Sequence, residues 1–307
     1  MIEHLTNERI DSHEWDAMLD ASSEPLWYAR AHVLDAAAPG WEALMDRDTG
    51  AIMPLTWKTR WRVPYLFQPF AIQQLGVFAP RPDPALVQRS LQAVPARFRH
   101  ADIYLNQSGP LAVKGWTFTT CTDHLVRLDR PLEEVRSGYS TNHRRSLGRS
   151  RDAIGDIDTE VPVEELCAMM AGSPQFRRWG IRPGQMNTLR RIMATAVERD
   201  PVSSWGVRKE GRLIAGAFFV HDRGRTIFLK GLALQEGRAR HGMHHLIDRM
   251  VQARCGVDRW LDLAGGNTPD LARFYAGFGA EPSLYLRAVL HRSTGWKWVT
   301  ALRRYGR

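Results

Sequence analysis

Tyr275 lies in the stretch Leu261–Ala280, LDLAGGNTPDLARFYAGFGA, where several reactive and ligand-holding residue types crowd together. The apolar run Leu261-Asp262-Leu263-Ala264 reads as the end of a buried strand. Gly265-Gly266-Asn267 breaks it, Thr268 supplies a helix N-cap, and Pro269 follows at the first helical position. Leu271, Phe274, Tyr275 and Phe278 then give a short helix its apolar face, and Gly279 stops it. Such a unit sets backbone amides and a tyrosine at the carboxyl end of a strand, where mixed α/β sheets favour ligands. A phenol there can hand a proton to a departing group or pack as core. Asp262 can polarise an amine, orient a ligand or bond the amides of the glycine turn.

Other stretches carry ligand-holding chemistry. The run from Ser137 to Arg151, SGYSTNHRRSLGRSR, is rich in hydroxyls and arginines. It reads either as a solvated helix or as a helix start that meets phosphate through Asn142, Arg144 and Arg145. Gln68, Gln73 and Gln74 stand with Gly76 inside an apolar segment, which suits a cleft wall or a loop whose amides bond their own backbone. Arg178 and Trp179 suit an anionic or sugar-like molecule. His241, His245 and Asp248 share one helical face, yet the spacing fits histidines at a helix start better than a metal site, and no metal is expected. The tail from Trp296 to Tyr305 mixes tryptophan and arginine, which fits peripheral contact with a membrane or a docked terminal helix.

The chain has 307 residues, enough for two domains or one large one. Three widely spaced cysteines, Cys121, Cys167 and Cys255, read as buried residues of a reducing compartment. The polar N-terminus and the lack of a long apolar run lead us to expect a cytoplasmic protein. The net charge of +9 is unevenly spread. Residues 1–130 hold 13 Lys and Arg against 15 Asp and Glu, and the remainder holds 29 against 18. The basic part also contains the Tyr275 stretch, so an anionic partner is expected there.

These residues need a frame. In the first part, a strand near Met1–Leu5 and helices at Ser12–Ala21, which Ser12 can cap, and Ala29–Ala38 are predicted. A hairpin over Trp41–Lys58, a helix at Asp83–Phe98 and strands at Ala101–Leu105 and His124–Leu128 follow. In the second part, helices near Pro162–Ala171 and Pro183–Glu198 precede strands at Ser203–Arg208, Arg212–His221 and Arg225–Leu234. A helix at Arg240–Ala253, the strand Arg259–Leu263, the Tyr275 helix and a strand at Ser283–Leu290 complete it.

That order, with the "LDLAGG … RFYAGFG" segment and the "YSTNHRRSLGRS" run, resembles the GNAT acyltransferases, in the FemAB-like branch related to peptidoglycan aminoacyltransferases. The resemblance implies an α+β (mixed αβ) fold of two tandem GNAT-like domains with central mixed sheets, at residues 1–135 (acceptor side) and 136–307 (acyl-donor side). It implies an N-acyltransferase that moves an acyl or aminoacyl group from an activated donor, acyl-CoA being favoured, to an amine acceptor such as a small molecule or cell-wall precursor. Tyr275 and Asp262 become the catalytic candidates. The donor is assigned to Leu232, Leu234, Arg238, Arg240, His241, Gly242 and Asn267, and the acceptor to Gln68, Gln73, Gln74, Arg178 and Trp179. Gly237 and Gly242 are five residues apart, out of register with the family's pyrophosphate loop, which keeps open a non-catalytic ligand-binding module. Several Fem-type enzymes carry Phe-Lys where this chain has Phe274-Tyr275, so an aminoacyl-tRNA donor is a further alternative that is not favoured.

Overall fold

The structure, a computed structural model, describes residues 1–149 and 156–292. Two compact units divide it: Met1–Cys121 together with the strand residues from Leu284, and Thr122–Ser283. The last residues of the basic run and the whole Trp296–Tyr305 tail fall outside the described residues.

In the first unit the order is β1 (Glu3–Leu5), α1 (Ser12–Asp20), α2 (Ala31–Ala37), β2 (Glu42–Asp46), β3 (Ala51–Leu55), β4 (Trp57–Arg60), β5 (Val63–Phe67), α3 (Pro84–Gln92), β6 (His100–Leu105) and the first half of β7 (Trp116–Arg127). Helix α1 is capped by Asp11 rather than Ser12: its carboxylate accepts from the amides of His13 at 2.8 Å and Glu14 at 3.1 Å. An acidic side chain one residue earlier reaches the first free amides better, and its charge suits the positive end of the helix. Helix α3 repeats the device, with Asp83 as cap and Pro84 at the first position. Apolar residues of β3, β5, β6 and α3, among them Leu55, Leu66, Leu91 and Leu105, close the core together with Phe98 between α3 and β6.

The second unit begins with the rest of β7 and continues through α4 (Leu132–Ser137), α5 (Thr141–Arg149), β8 (Asp156–Asp158), α6 (Val163–Gly172), α7 (Pro174–Arg178), α8 (Pro183–Arg199), β9 (Val202–Lys209), β10 (Arg212–Asp222), β11 (Arg225–Ala233), α9 (Gln235–Ala239), α10 (Gly242–Arg254), β12 (Trp260–Asp262) and α11 (Pro269–Ala276). Strand β13 (Glu281–His291) leads back and pairs with β6, Leu286 opposite Leu105 and His291 opposite His100. The strand order here is β7-β12-β11-β10-β9-β8. Every neighbour is antiparallel except β11 and β12, which run parallel.

Strand β10 is buried nearly throughout, and its run Leu213–Val220 has the continuous apolar character of a central strand. Phe219 is fully buried, with ring contacts to Trp205 at 6.2 Å and Phe228 at 5.4 Å. Helix α10 packs on that face through Leu246, Ile247, Met250 and Val251. Removing the Phe219 ring opens a cavity that the surrounding sheet cannot collapse. We expect Phe219→Ala to lower unfolding free energy by about 3–5 kcal/mol in urea denaturation.

Candidate active site

Strands β11 and β12 pair along the whole of β12 but only at the beginning of β11, from Arg225 opposite Trp260 to Ile227 opposite Asp262. Beyond that point β12 has ended while β11 runs on to Ala233. The sheet is therefore open beside Phe228–Ala233, and the carboxyl ends of two parallel strands face the gap, the position at which open α/β sheets bind ligands.

The first side of the opening is the turn into α10. Helix α9 carries the chain from Leu234 to Arg240, and His241 in the left-handed conformation (φ 55°) starts α10. A Cβ on Gly237 would stand 2.3 Å from the Ile214 carbonyl oxygen, and one on Gly242 would stand 2.9 Å from the Ala215 Cβ. Both glycines are required because the turn lies directly on β10. The opening amides of α10 precede the first intrahelical bond, donated by His245 to the His241 carbonyl at 3.2 Å, so they form an anion-binding end. Arg238 donates to Gln175 at 2.8 Å and to the Ala233 carbonyl at 3.1 Å, which ties the turn to α7. Arg240 faces Glu236 at 3.8 Å, and Glu236 also pairs with Lys209 at 2.8 Å and with Arg212.

The second side is the segment after β12. Ala264, Gly265 and Gly266 all have positive φ, at 48°, 123° and 119°. A Cβ at Gly266 would meet the Nδ1 of His124 at 2.2 Å, so this glycine cannot be exchanged without displacing the ring. Asp262 holds the turn with both oxygens: Oδ1 accepts from the Ala264 amide at 2.8 Å, and Oδ2 faces the Arg225 guanidinium at 3.1 Å. Asp123 accepts from the amides of His124 at 2.8 Å and Gly265 at 2.9 Å. His124 Nδ1 lies 2.8 Å from the Gly265 carbonyl, and its ring is 5.8 Å from that of Tyr275. Thr268 takes the N-cap position of α11, but its hydroxyl makes no capping bond. Asn267 accepts from the Thr122 amide at 2.9 Å and so fastens the segment to β7.

Tyr275 is 4% exposed, on α11. Burial, reinforced by the carboxylates Asp123 and Asp262, raises its phenol well above the usual range, so it stays protonated. Burial, with the Asp262 charge beside it, likewise pushes the Asp123 carboxyl well up. A ring series connects α11 with the start of α10: Tyr275 to Phe274 at 5.8 Å, Phe274 to His244 at 4.9 Å and His244 to His241 at 5.2 Å. Burial, then the charges of neighbouring histidines, brings His244 down to about 3. On β11, burial lowers Lys230 to about 8, and its ammonium stands 5.9 Å from the Phe176 ring of α7.

The structure thus brings together Leu232, Leu234, Arg238, Arg240, His241, Gly242, Asn267, Asp262 and Tyr275 around the open strands. Arg178 and Trp179, at the end of α7, lie beside Phe176 in the segment tied to this turn; Trp179 is 53% exposed. Asn142, Arg144 and Arg145 are exposed on α5, where Arg144 turns back to the carbonyls of Ser137 and Tyr139. The glutamines belong to the first unit. Gln68 donates to the Ile72 carbonyl and accepts from the Tyr104 amide, both at 2.9 Å, and Gln73 donates to the Tyr285 hydroxyl at 2.8 Å. Gln74 is half-buried in the same segment. Asp248 is held by a two-pronged bond from Arg136, at 3.0 and 2.7 Å, which takes it away from His241 and His245. Among the described residues no group of three His, Cys, Asp or Glu side chains can hold a metal. The sequence reading missed Asp123, His124 and Lys230. Two adjacent polar residues entering the apolar run Leu125–Val126 were the available signal for the first pair.

Residues 134–270 match the acetyltransferase (GNAT) domain. Among solved structures, the chain is similar to FemX, with a TM-score of 0.67 over 92% of this chain and 96% of that one at 11% identity. The C-terminal domain of a putative lysylphosphatidylglycerol synthetase from Agrobacterium fabrum gives 0.57, over 95% and 94%, at 15% identity. A tandem GNAT protein from the clavulanic acid biosynthesis pathway gives 0.53, over 95% and 99%, at 14% identity. At such identities the likeness is one of fold. No curated protein matches. The fold is a mixed α/β one of the GNAT kind, shared along the chain with FemX and a tandem GNAT protein. The chain is an acyltransferase with a GNAT domain over residues 134–270.

The buried acid pair yields a stability test. Asp123 binds its proton more tightly when folded than when unfolded, so its contribution to stability is greatest at low pH and falls as pH rises past about 4, the ordinary carboxylate value. Asp123→Asn keeps an oxygen for the two amides and removes this titration. Its melting temperature should exceed that of the wild type at pH 8, with the gap closing towards pH 4. An equal gap at both pH values would refute the assignment.

Proposed function

We propose that the chain transfers an acyl group from acyl-CoA to an amine acceptor, with the donor in the opening between β11 and β12. The observation that carries this reading is the early parting of these parallel strands beside the free amides of α10. An extended donor arm can lie along the edge of Phe228–Ala233 that β12 does not cover, while the diphosphate meets the α10 amides. The missing glycine spacing matters less than the sequence suggests, because Gly237 and Gly242 each make the close approach to β10 that brings the turn down. Arg238 and Arg240 frame the turn through their protein partners and present positive charge around it.

In the reaction the amine nitrogen attacks the thioester carbonyl, the carbon–nitrogen bond forms, and the carbon–sulfur bond of the tetrahedral intermediate breaks. The Tyr275 phenol supplies the proton taken up by the departing thiolate, the proton that the amine nitrogen loses restores the phenol through solvent, and the raised pKa keeps the phenol protonated at neutral pH. Asp262, with both oxygens engaged, is a positioning residue for the turn. Trp179 and Arg178 on α7 are assigned to the acceptor, a small amine or a cell-wall precursor among the candidates.

Two measurements test this. Acetyl-CoA or a longer acyl-CoA at saturating concentration should raise the melting temperature, since a ligand at about one hundred times its Kd adds roughly 2.7 kcal/mol. Absence of any shift across the acyl-CoA series would overturn the donor assignment. Tyr275→Phe should lower turnover, followed by thiol release with an amine panel, at least tenfold, with an unchanged melting temperature. Full activity in that variant would remove the phenol from the chemistry.

A further inference from the structure

A second cluster lies at the other end of the same strands, around the tight turn joining β10 to β11. Ser203 Oγ on β9 stands 2.9 Å from His221 Nε2 at the end of β10. His221 Nδ1 stands 2.7 Å from Thr226 Oγ1 on β11, and Thr226 donates its hydroxyl hydrogen to Asp258. Asp258 is held by both arms of Arg254, each at 2.8 Å. Thr226 is fully buried and Asp258 is 5% exposed, whereas Ser203 and His221 remain partly accessible.

Hydrogen-bond bookkeeping fixes the direction of this chain. The hydroxyl of Thr226 has one hydrogen, and Asp258 takes it. Its oxygen can then only accept from His221, so Nδ1 carries the imidazole proton. In the neutral ring Nε2 is therefore bare and accepts the hydrogen of Ser203. A serine hydroxyl facing the free nitrogen of a histidine, whose other nitrogen is anchored through a polar group to a buried carboxylate, is the arrangement that activates a nucleophile.

We propose that Ser203 is a second reactive centre, a nucleophile for small activated acyl esters, with His221 as its proton acceptor and Thr226 and Asp258 as positioning residues. As Ser203 Oγ bonds to the carbonyl carbon, its proton passes to His221 Nε2. The ester carbon–oxygen bond breaks, and the imidazolium returns that proton to the departing alkoxide, leaving Ser203 acylated. This centre is independent of acyl transfer at Tyr275.

The charged groups facing His221 are Arg254 on α10 and Asp258 ahead of β12. Burial, then the Arg254 charge, lowers the ring to about 4, against the opposing pull of Asp258. Burial works to raise the Asp258 carboxyl, but the bonds from Arg254 and Thr226 prevail and keep it below the usual range. The ring accordingly remains a free base well below the ordinary histidine value of 6.5.

A fluorophosphonate probe on the full chain reads the proposal directly, since oxygen–phosphorus bond formation expels fluoride from an activated serine. Intact mass and peptide mapping should place one adduct on Ser203, absent in Ser203→Ala and in urea-unfolded wild type. His221→Gln and Thr226→Val should slow labelling at least tenfold with native circular dichroism, and the wild-type rate should hold from about pH 8 down to about pH 5. No adduct on the folded wild type would overturn the proposal, as would equal labelling of the unfolded chain. A rate that falls through pH 6.5, or that is unchanged in Thr226→Val, would overturn the relay. Comparing folded and unfolded wild type keeps the test decisive even where a variant fails to fold.

Discussion

The arrangement of the active site depends on where β12 stops. Its last residue, Asp262, carries a carboxylate that is almost wholly removed from water, and Arg225, which starts β11, supplies the opposite charge. A buried carboxylate is costly unless paired and hydrogen-bonded, and Asp262 meets both requirements, through Arg225 and the Ala264 amide. That pairing clamps the start of β11 to the end of β12, and the chain then turns sharply into three consecutive positive-φ residues. The parting of the sheet beyond Ile227 follows from it, as does the placing of α11.

Electrostatics in the opening favours neutral groups. Burial raises the Tyr275 phenol and the Asp123 carboxyl well above their usual ranges, lowers His244 to about 3 and lowers Lys230 to about 8. Each is the response expected of a titratable group withdrawn from water, where losing or never gaining a charge is cheaper than solvating it in protein. A site of this character strengthens the hydrogen bonds and dipoles that remain, including the amides at the start of α10. The arginines nearest those amides are already engaged, Arg238 with Gln175 and Arg240 with Glu236. In the proposed donor site the turn thus offers an anion backbone donors rather than these arginines.

Much of this frame was legible in the sequence. The glycine turns, the proline-led helix starts and the apolar runs of β10 and β11 placed most elements of the second unit within a few residues. The last strand was legible as a strand, but its partner was not: β13 pairs with β6, and nothing local in Glu281–His291 encodes that choice. The N-caps show the same limit at short range. Ser12 and Thr268 looked like caps by type, yet Asp11 caps α1 and Thr268 makes no capping bond, because capping depends on the angle at which the chain enters the helix.

The sequence by itself determined the periodicities, the turns and the residues that could do chemistry, since these depend on neighbours a few positions apart. It could not determine which polar groups meet. Asp123 and Asp262, and likewise Ser203, His221 and Asp258, are distant along the chain and become neighbours only when β7, β9, β10, β11 and β12 lie side by side. Their proton affinities belong to that arrangement too, because burial and the nearest charges, rather than residue type, set whether each group is ionised. Tyr275 was visible as a tyrosine on a helix; the carboxylates and the ring series around it came from the tertiary structure.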